Sequence, residues 1–195
     1  MTGRLIAFEG GEGLGKSTQA ALLAARLSAV LTREPGGTSL GEQLRAVVID
    51  RATVALDDRA EALLMAAARA QHVAEVIAPA LAAGRDVVVD RFSHSSLAYQ
   101  GAGRGLAVDD LRWLSDWATG GCWPDVVVLL DLEPGASLTV PDAGDRFESE
   151  DLAFHRRVVE CFHAMAAADP QHWRVVDGRG PVEAVAARVW AAVQP

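Results

Sequence analysis

Residues 5–9 read Leu-Ile-Ala-Phe-Glu, an apolar run of strand length, and they lead straight into Gly10-Gly11-Glu12-Gly13-Leu14-Gly15-Lys16-Ser17 and the helical pattern Thr18-Gln19-Ala20-Ala21-Leu22-Leu23. The central octet matches GxxxxGK[ST] and lies between a strand and a helix, the context that this pattern requires. Glycines let backbone N–H groups approach phosphate oxygens, and the start of the helix adds partial positive charge. Lys16 can neutralise β/γ oxygens and Ser17 can ligate Mg²⁺. Residues Gly10 to Thr18 are therefore the candidate ATP site, with Lys16 as its charge. A chance match at a structural turn is the competing explanation, and the flanking strand and helix argue against it.

Lys16 is also the only lysine among the 18 Lys and Arg residues of this 195-residue chain; the rest are arginine. A compact ammonium has been kept at the one position where a planar guanidinium would replace a point charge on phosphate.

The length suits one domain with a sizeable core. A hydrophobic fraction of 50% and a charged fraction of 23% are globular proportions, without repeats or low-complexity tracts. The formal net charge of −8 argues against a nonspecific nucleic-acid grip, which needs a basic face. Cys122 and Cys161 form no CxxC pair, which makes a disulfide framework or a zinc site a poor reading. The apolar stretches are strand-sized, with no secretory segment and no membrane span, so a cytoplasmic protein is expected.

Short β-branched runs alternate with helical patterns, the signature of a parallel sheet in an α/β fold. Strands are expected at residues 4–9, 29–32, 86–90, 125–131 and 173–177, the third and fourth being central because they are apolar without alternation. Helices are expected at 16–27, 40–49, 57–83, 108–119, 151–168 and 182–193. Trp113 and Trp117, four residues apart, share one helical face and read as core. Residues 133–148, rich in Pro and Gly, read as a mobile loop.

Asp90 ends the third strand and Arg91 follows it, so an acid and a base emerge where α/β folds bind ligands. Asp90 can orient a Mg²⁺-bound water or the lysine, and Arg91 can hold a transferring phosphate; a surface ion pair is the plainer alternative. The second strand runs into Thr32-Arg33-Glu34-Pro35-Gly36-Gly37-Thr38, an ordinary turn by composition, with an arginine at its entrance.

Taken together, Phe8-Glu9-Gly10 with the phosphate loop, the Arg33-Glu34-Pro35-Gly36-Gly37 turn, Asp90-Arg91-Phe92, Ser95-Ser96-Leu97-Ala98-Tyr99-Gln100-Gly101 and Asp145-Arg146-Phe147-Glu148 resemble bacterial thymidylate kinase, in the family's order and across nearly the whole chain. The resemblance implies a P-loop NMP-kinase fold: one domain over 1–195, a five-stranded parallel sheet with helices on both faces, and a short lid at about 133–148. It implies transfer of the ATP γ-phosphoryl group to dTMP with Mg²⁺, by a homodimer. By matching motif, Glu12 takes the place of the loop carboxylate near the sugar 3′-hydroxyl, and Arg33 and Arg91 hold the acceptor phosphate. Arg69 contacts the thymine, Ser96 and Gln100 line the base pocket, and Tyr99 crowds out a ribose 2′-hydroxyl. Ser17 and Asp90 serve the metal.

Three departures stand out. Met65 occupies the place of a phenylalanine that stacks on thymine, and Ala68 that of an aspartate; a thioether against a ring substitutes in part. His94 replaces a frequent aspartate and reads as a pocket-rim or surface residue. The lid stretch 137–144 has no basic residue where related chains supply transition-state arginines, so either Arg146 takes that catalytic role or turnover is slow. These departures leave two alternatives: a nucleotide-binding protein with weak or lost catalysis, and a kinase for another pyrimidine monophosphate.

Overall fold

The structure is a computed structural model that describes residues 3–50, 56–131 and 146–194. Five parallel strands, β1 (Leu5–Glu9), β2 (Val30–Arg33), β3 (Val87–Asp90), β4 (Val126–Asp131) and β5 (Trp173–Asp177), lie in the order β2-β3-β1-β4-β5. β3 and β4 flank the central β1, so the two uninterrupted valine runs are interior strands covered on both faces. Strand order reverses at β1, and the loops beyond its carboxyl end form the crevice where such sheets take ligands.

Alternate residues of each strand serve opposite layers. Ile6, Phe8, Val88, Val128 and Leu130 pack on α1 (Lys16–Leu27) and α8 (Val182–Val193). Leu5, Ala7, Val87 and Val89 face Val73, Ile77 and Ala80, while Val127 and Leu129 face α7 (Leu152–Ala168). The second layer also holds α2 (Ser39–Ile49), α3 (Asp58–His72), α4 (Ala78–Ala82), α5 (Ser93–Ser96) and α6 (Val108–Thr119).

The long helix expected at 57–83 is interrupted by a π-helical turn at Val73–Ile77. Pro79 lacks an N–H and its ring would collide with the carbonyl of Glu75 in a regular helix; the wider turn upstream makes room. A second π-helical stretch, Leu97–Gly103, follows α5. No helix is expected at 93–103 from the sequence, because its serines and glycines are poor helix formers. Tertiary packing overrides that preference, and all but Ala102 in the π stretch are buried.

The expectation that Trp113 and Trp117 are core is wrong. They are 66% and 72% exposed, stacked on each other with ring centroids 6.4 Å apart and planes 8° from parallel. The inner stripe of α6 is Leu111, Ser115 and Thr119, two residues out of register with the tryptophans. Most of the expected lid, residues 133–145, lies outside the described residues. Among the described residues, no helix is long and apolar enough to cross a membrane.

Candidate active site

The turn after β1 is shaped by Gly10, whose φ of +132° is open to glycine and whose missing Cβ would stand 2.4 Å from the Leu130 carbonyl oxygen. That turn delivers the phosphate loop onto the start of α1, where Lys16 is the first helical residue. The Lys16 ammonium is buried and donates to the Gly11 carbonyl oxygen. Burial pushes its pKa down to about 8, with Arg91 adding to the shift and Glu12, Asp90 and Glu9 opposing it. Beside it, Ser17 Oγ donates to Asp90 Oδ2 at 2.5 Å, and Asp90 Oδ1 is buried without a hydrogen-bond partner among the described residues.

Glu12 and Arg91 form the other wall. Arg91 Nη2 bonds Glu12 Oε1 at 2.7 Å, and its Nη1 bonds the Gly10 carbonyl oxygen at 3.1 Å and Ser95 Oγ at 3.2 Å. Tyr99 Oη donates to the same Glu12 oxygen at 2.7 Å, and the guanidinium lies 5.0 Å from the centre of the Tyr99 ring. Burial would raise the Glu12 pKa, but Arg91 and Lys16 outweigh it and hold the carboxyl at about 2. The same carboxylates move Arg91 upward against its own burial. Arg91 has a left-handed backbone, φ +67°, at a cost of about 1–2 kcal/mol that this network must offset.

Glu9 ties the two walls together. Wholly buried, it accepts from the backbone N–H groups of Phe92 (3.0 Å) and Ser95 (3.1 Å) and from Ser95 Oγ (2.6 Å). Burial nevertheless pushes its pKa up to about 7, against the Ser95 hydroxyl and the Arg91 charge.

The turn after β2 supplies a third side. Glu34 is buried between Arg69 Nε (2.7 Å) and His72 Nδ1 (3.0 Å), and His72 Nε2 meets Thr32 Oγ1 at 2.6 Å. Gly37, φ +77°, packs so closely on His72 that a Cβ would stand 2.6 Å from Nε2. Arg69 Nη2 also donates to Ser96 Oγ at 3.1 Å, and Arg33 pairs with Glu42 at 3.0 Å.

These elements enclose a cleft of about 390 Å³ beyond the strand ends. Of the residues expected at the site, Glu12, Gly13, Leu14, Gly15, Lys16, Ser17, Thr18, Arg33, Met65, Asp90, Arg91, Tyr99 and Gln100 line it. Gly10, Gly11, Arg69 and Ser96, also expected at the site, do not line it; Arg69 and Ser96 are buried and bonded to each other. Arg146 does not line the cleft; it bonds Glu61. His94, half-buried, does not line this cleft; its ring packs against Trp123 and Trp173 at centroid distances of 5.1 and 4.9 Å. Burial drives its pKa down to about 3, with Arg112 and Arg69 contributing, so it is an uncharged packing residue.

Arg45, Glu34, Ser95 and Phe147 also line the cleft and were not singled out as site residues from the sequence. Arg45 carried a signal: it stands on the same stripe of α2 as the buried Gly41 and Val48, an arginine in an apolar register. Its Nη1 donates to the Pro35 carbonyl oxygen at 3.1 Å.

A family model described as thymidylate kinase matches residues 8–189. Thymidylate kinases of Synechococcus sp. (strain JA-3-3Ab) and Thermomicrobium roseum are 51% and 52% identical to this chain, over 97% and 96% of it and 95% and 93% of their own lengths. The crystal structure of thymidylate kinase from Ehrlichia chaffeensis is similar with a TM-score of 0.85 at 30% identity, covering all of both chains.

Glu9 yields a pH prediction. Its pKa rises from 4.5 to about 7 on folding, so between those values the native state keeps a proton that the unfolded chain has released. Its contribution to stability is present at low pH and is lost as pH rises through about 7. Between about pH 5 and pH 8, denaturant unfolding should show wild type losing about 2–3 kcal/mol more than Glu9→Gln. The same pH dependence in both proteins would refute the raised carboxyl.

Proposed function

The chain belongs to the thymidylate kinase family, and we propose that it transfers the γ-phosphoryl group of ATP to dTMP, giving dTDP and ADP, as one kinase domain with a lid over about residues 133–148. The observation that carries this reading is the junction of two anion sites: the Lys16 cradle and the Arg91–Glu12–Tyr99 knot share one cleft, with Gln100 lining it farther along. Two anions held in line is what phosphoryl transfer requires of a protein.

A phosphate oxygen of dTMP attacks the γ-phosphorus while the bond to the β-phosphate oxygen breaks, so no strong base is needed and the uncharged His94 has no part in it. The loop N–H groups and Lys16 hold the β and γ oxygens, and Arg33 and Arg91 hold the acceptor phosphate. Glu12 orients Arg91 and faces the sugar, and Tyr99, fixed by its bond to Glu12, leaves no room for a 2′-hydroxyl. Arg69 and Ser96 stand behind the base, with Met65 and Gln100 lining its pocket.

The hard oxygens of Ser17 and Asp90 suit Mg²⁺, and the buried Asp90 Oδ1, without a hydrogen-bond partner among the described residues, fits a cation or its water nearby. Among the described residues, no group of three or more His, Cys, Asp or Glu side chains could hold a metal. One or two protein ligands plus phosphate are what a nucleotide-borne Mg²⁺ uses. Bound there, the ion would neutralise charge on the transferring phosphate.

The protein works in the cytoplasm as a homodimer. α2, α3 and α6 pack side by side and expose Val47, Leu63, Trp113 and Trp117, an apolar surface suited to a second copy. The double substitution Trp113→Ser, Trp117→Ser should halve the sedimenting mass; an unchanged dimer would place the interface elsewhere.

The activity is tested by coupled ADP release with dTMP, dUMP, dCMP and dGMP. The highest kcat/KM is expected for dTMP, and phosphorylation of none of them would overturn the proposal. Because Lys16 loses its proton near pH 8, kcat/KM for ATP should fall above that pH. Lys16→Arg should abolish this alkaline limb and lower kcat about tenfold or more; a kcat near wild type would make the lone lysine incidental.

A further inference from the structure

Gln100 is held by a carboxylate. Its Nε2 donates to Glu61 Oε1 at 2.7 Å, and Glu61, on α3, has no exposure. A carboxylate bound to arginines only accepts, so the edge of the amide turned toward it is the NH₂ edge. The other edge, Oε1, is buried without a hydrogen-bond partner among the described residues, on a side chain that lines the cleft. With the NH₂ edge taken by Glu61, the edge of Gln100 left for a ligand is an acceptor, not a donor.

Glu61 is itself clamped. Arg104 Nη2 lies 3.3 Å from Glu61 Oε2, and Arg146 Nη2 bonds the same oxygen. Arg104 is anchored further by Glu150 and by Asp58 at 3.6 Å. Arg146 is anchored through its backbone N–H to the Ile49 carbonyl oxygen at 3.1 Å. The next residue, Phe147, meets Tyr99 edge-on at 5.7 Å. This places the arginine expected to serve phosphoryl transfer on the carboxylate that holds Gln100, and not among the residues that line the cleft with Lys16 and Ser17.

The geometry points to Glu61, clamped by Arg104 and Arg146, as the residue that fixes the Gln100 amide with its oxygen toward the base, so that the pocket takes a pyrimidine presenting a ring N–H and rejects one presenting a ring acceptor. Thymine and uracil present N3–H; cytosine presents a bare N3. Arg146 is then a positioning residue for base reading. The inference rests on the proposed dTMP kinase activity for the identity of the substrate.

The test compares wild type with Glu61→Gln and Arg146→Met in kcat/KM for dTMP and dCMP, and in Kd for both by calorimetry without ATP. In Glu61→Gln the residue facing Gln100 can donate or accept, the amide is released, and the preference for dTMP over dCMP should fall about tenfold or more. Arg146→Met should lower the same ratio by raising KM and Kd for dTMP more than it lowers kcat, with KM for ATP unmoved. Unchanged preference in folded Glu61→Gln would overturn the inference. So would an Arg146→Met that loses about a hundredfold in kcat with dTMP affinity intact, which would return Arg146 to the phosphoryl group. If Glu61→Gln does not fold, the partly exposed Arg146 decides alone. A wild type that prefers dTMP in calorimetry but transfers no phosphate would remove the kinase reading and leave the binding comparison to judge Glu61.

Discussion

Glu9 ends the central strand with no exposure, and its two oxygens take the N–H of Phe92, the N–H of Ser95 and the Ser95 hydroxyl. Those bonds join the end of β1, where the phosphate loop begins, to the segment after β3, where the acceptor residues lie. They tether the segment next to Arg91, whose left-handed backbone directs a guanidinium onto the Gly10 carbonyl and Glu12. Deleting the carboxylate would orphan three buried donors at about 1–3 kcal/mol each, and it would free the residue that aims the arginine. Burial strains the carboxylate itself, which is why its pKa climbs to about 7. A buried carboxylate thus ties the strand that opens the phosphate loop to the segment that carries Arg91 and Ser95.

What the sequence shows clearly is what depends on local covalent geometry. The phosphate loop needs glycine where φ is positive and backbone must approach phosphate, so its composition is its shape. The valine runs of β3 and β4 announce strands covered on both faces because no polar residue could be accommodated there. The α6 tryptophans illustrate the opposite case. Ser115 and Thr119 are the inner residues, and Thr119 satisfies its hydroxyl on the Ser115 carbonyl of its own helix. Polar residues hidden this way leave no mark in a hydrophobic pattern, so two large aromatics at helical spacing read as core when they are surface. Residues 93–103 were legible as a motif but not as a helix, because what makes them helical is packing against α6 and α7, not propensity.

The two π-helical turns bear on the same division. The one at Val73–Ile77 follows His72, which joins the turn after β2 through Glu34 and Thr32. The one at Leu97–Gly103 carries Tyr99 and Gln100, directly after Ser95 and Ser96. A wider helical turn changes which side chains share a face, and such turns concentrate at functional sites. Here one continuous segment reaches the phosphate wall through Ser95 and Tyr99 and the base pocket through Gln100. Phosphate positioning and base reading therefore share a rigid support, and a change at one end will be felt at the other.

The distribution of charge completes the picture of the lone lysine. Around the cleft, guanidinium groups are held by carboxylates: Arg91 by Glu12, Arg33 by Glu42, Arg69 by Glu34, and Arg104 and Arg146 by Glu61. Such pairs preorganise a cation, and the net charge of −8 is consistent with arginines that are matched rather than displayed. Lys16 differs, since the hydrogen bond of its ammonium goes to a backbone carbonyl, that of Gly11. A carbonyl competes with an incoming phosphate far less than a carboxylate does, and a compact ammonium turns from one to the other with little rearrangement. A planar guanidinium in that space would need several partners aligned at once. The position that must exchange its partner when the triphosphate arrives is therefore the one where this arginine-rich chain retains lysine.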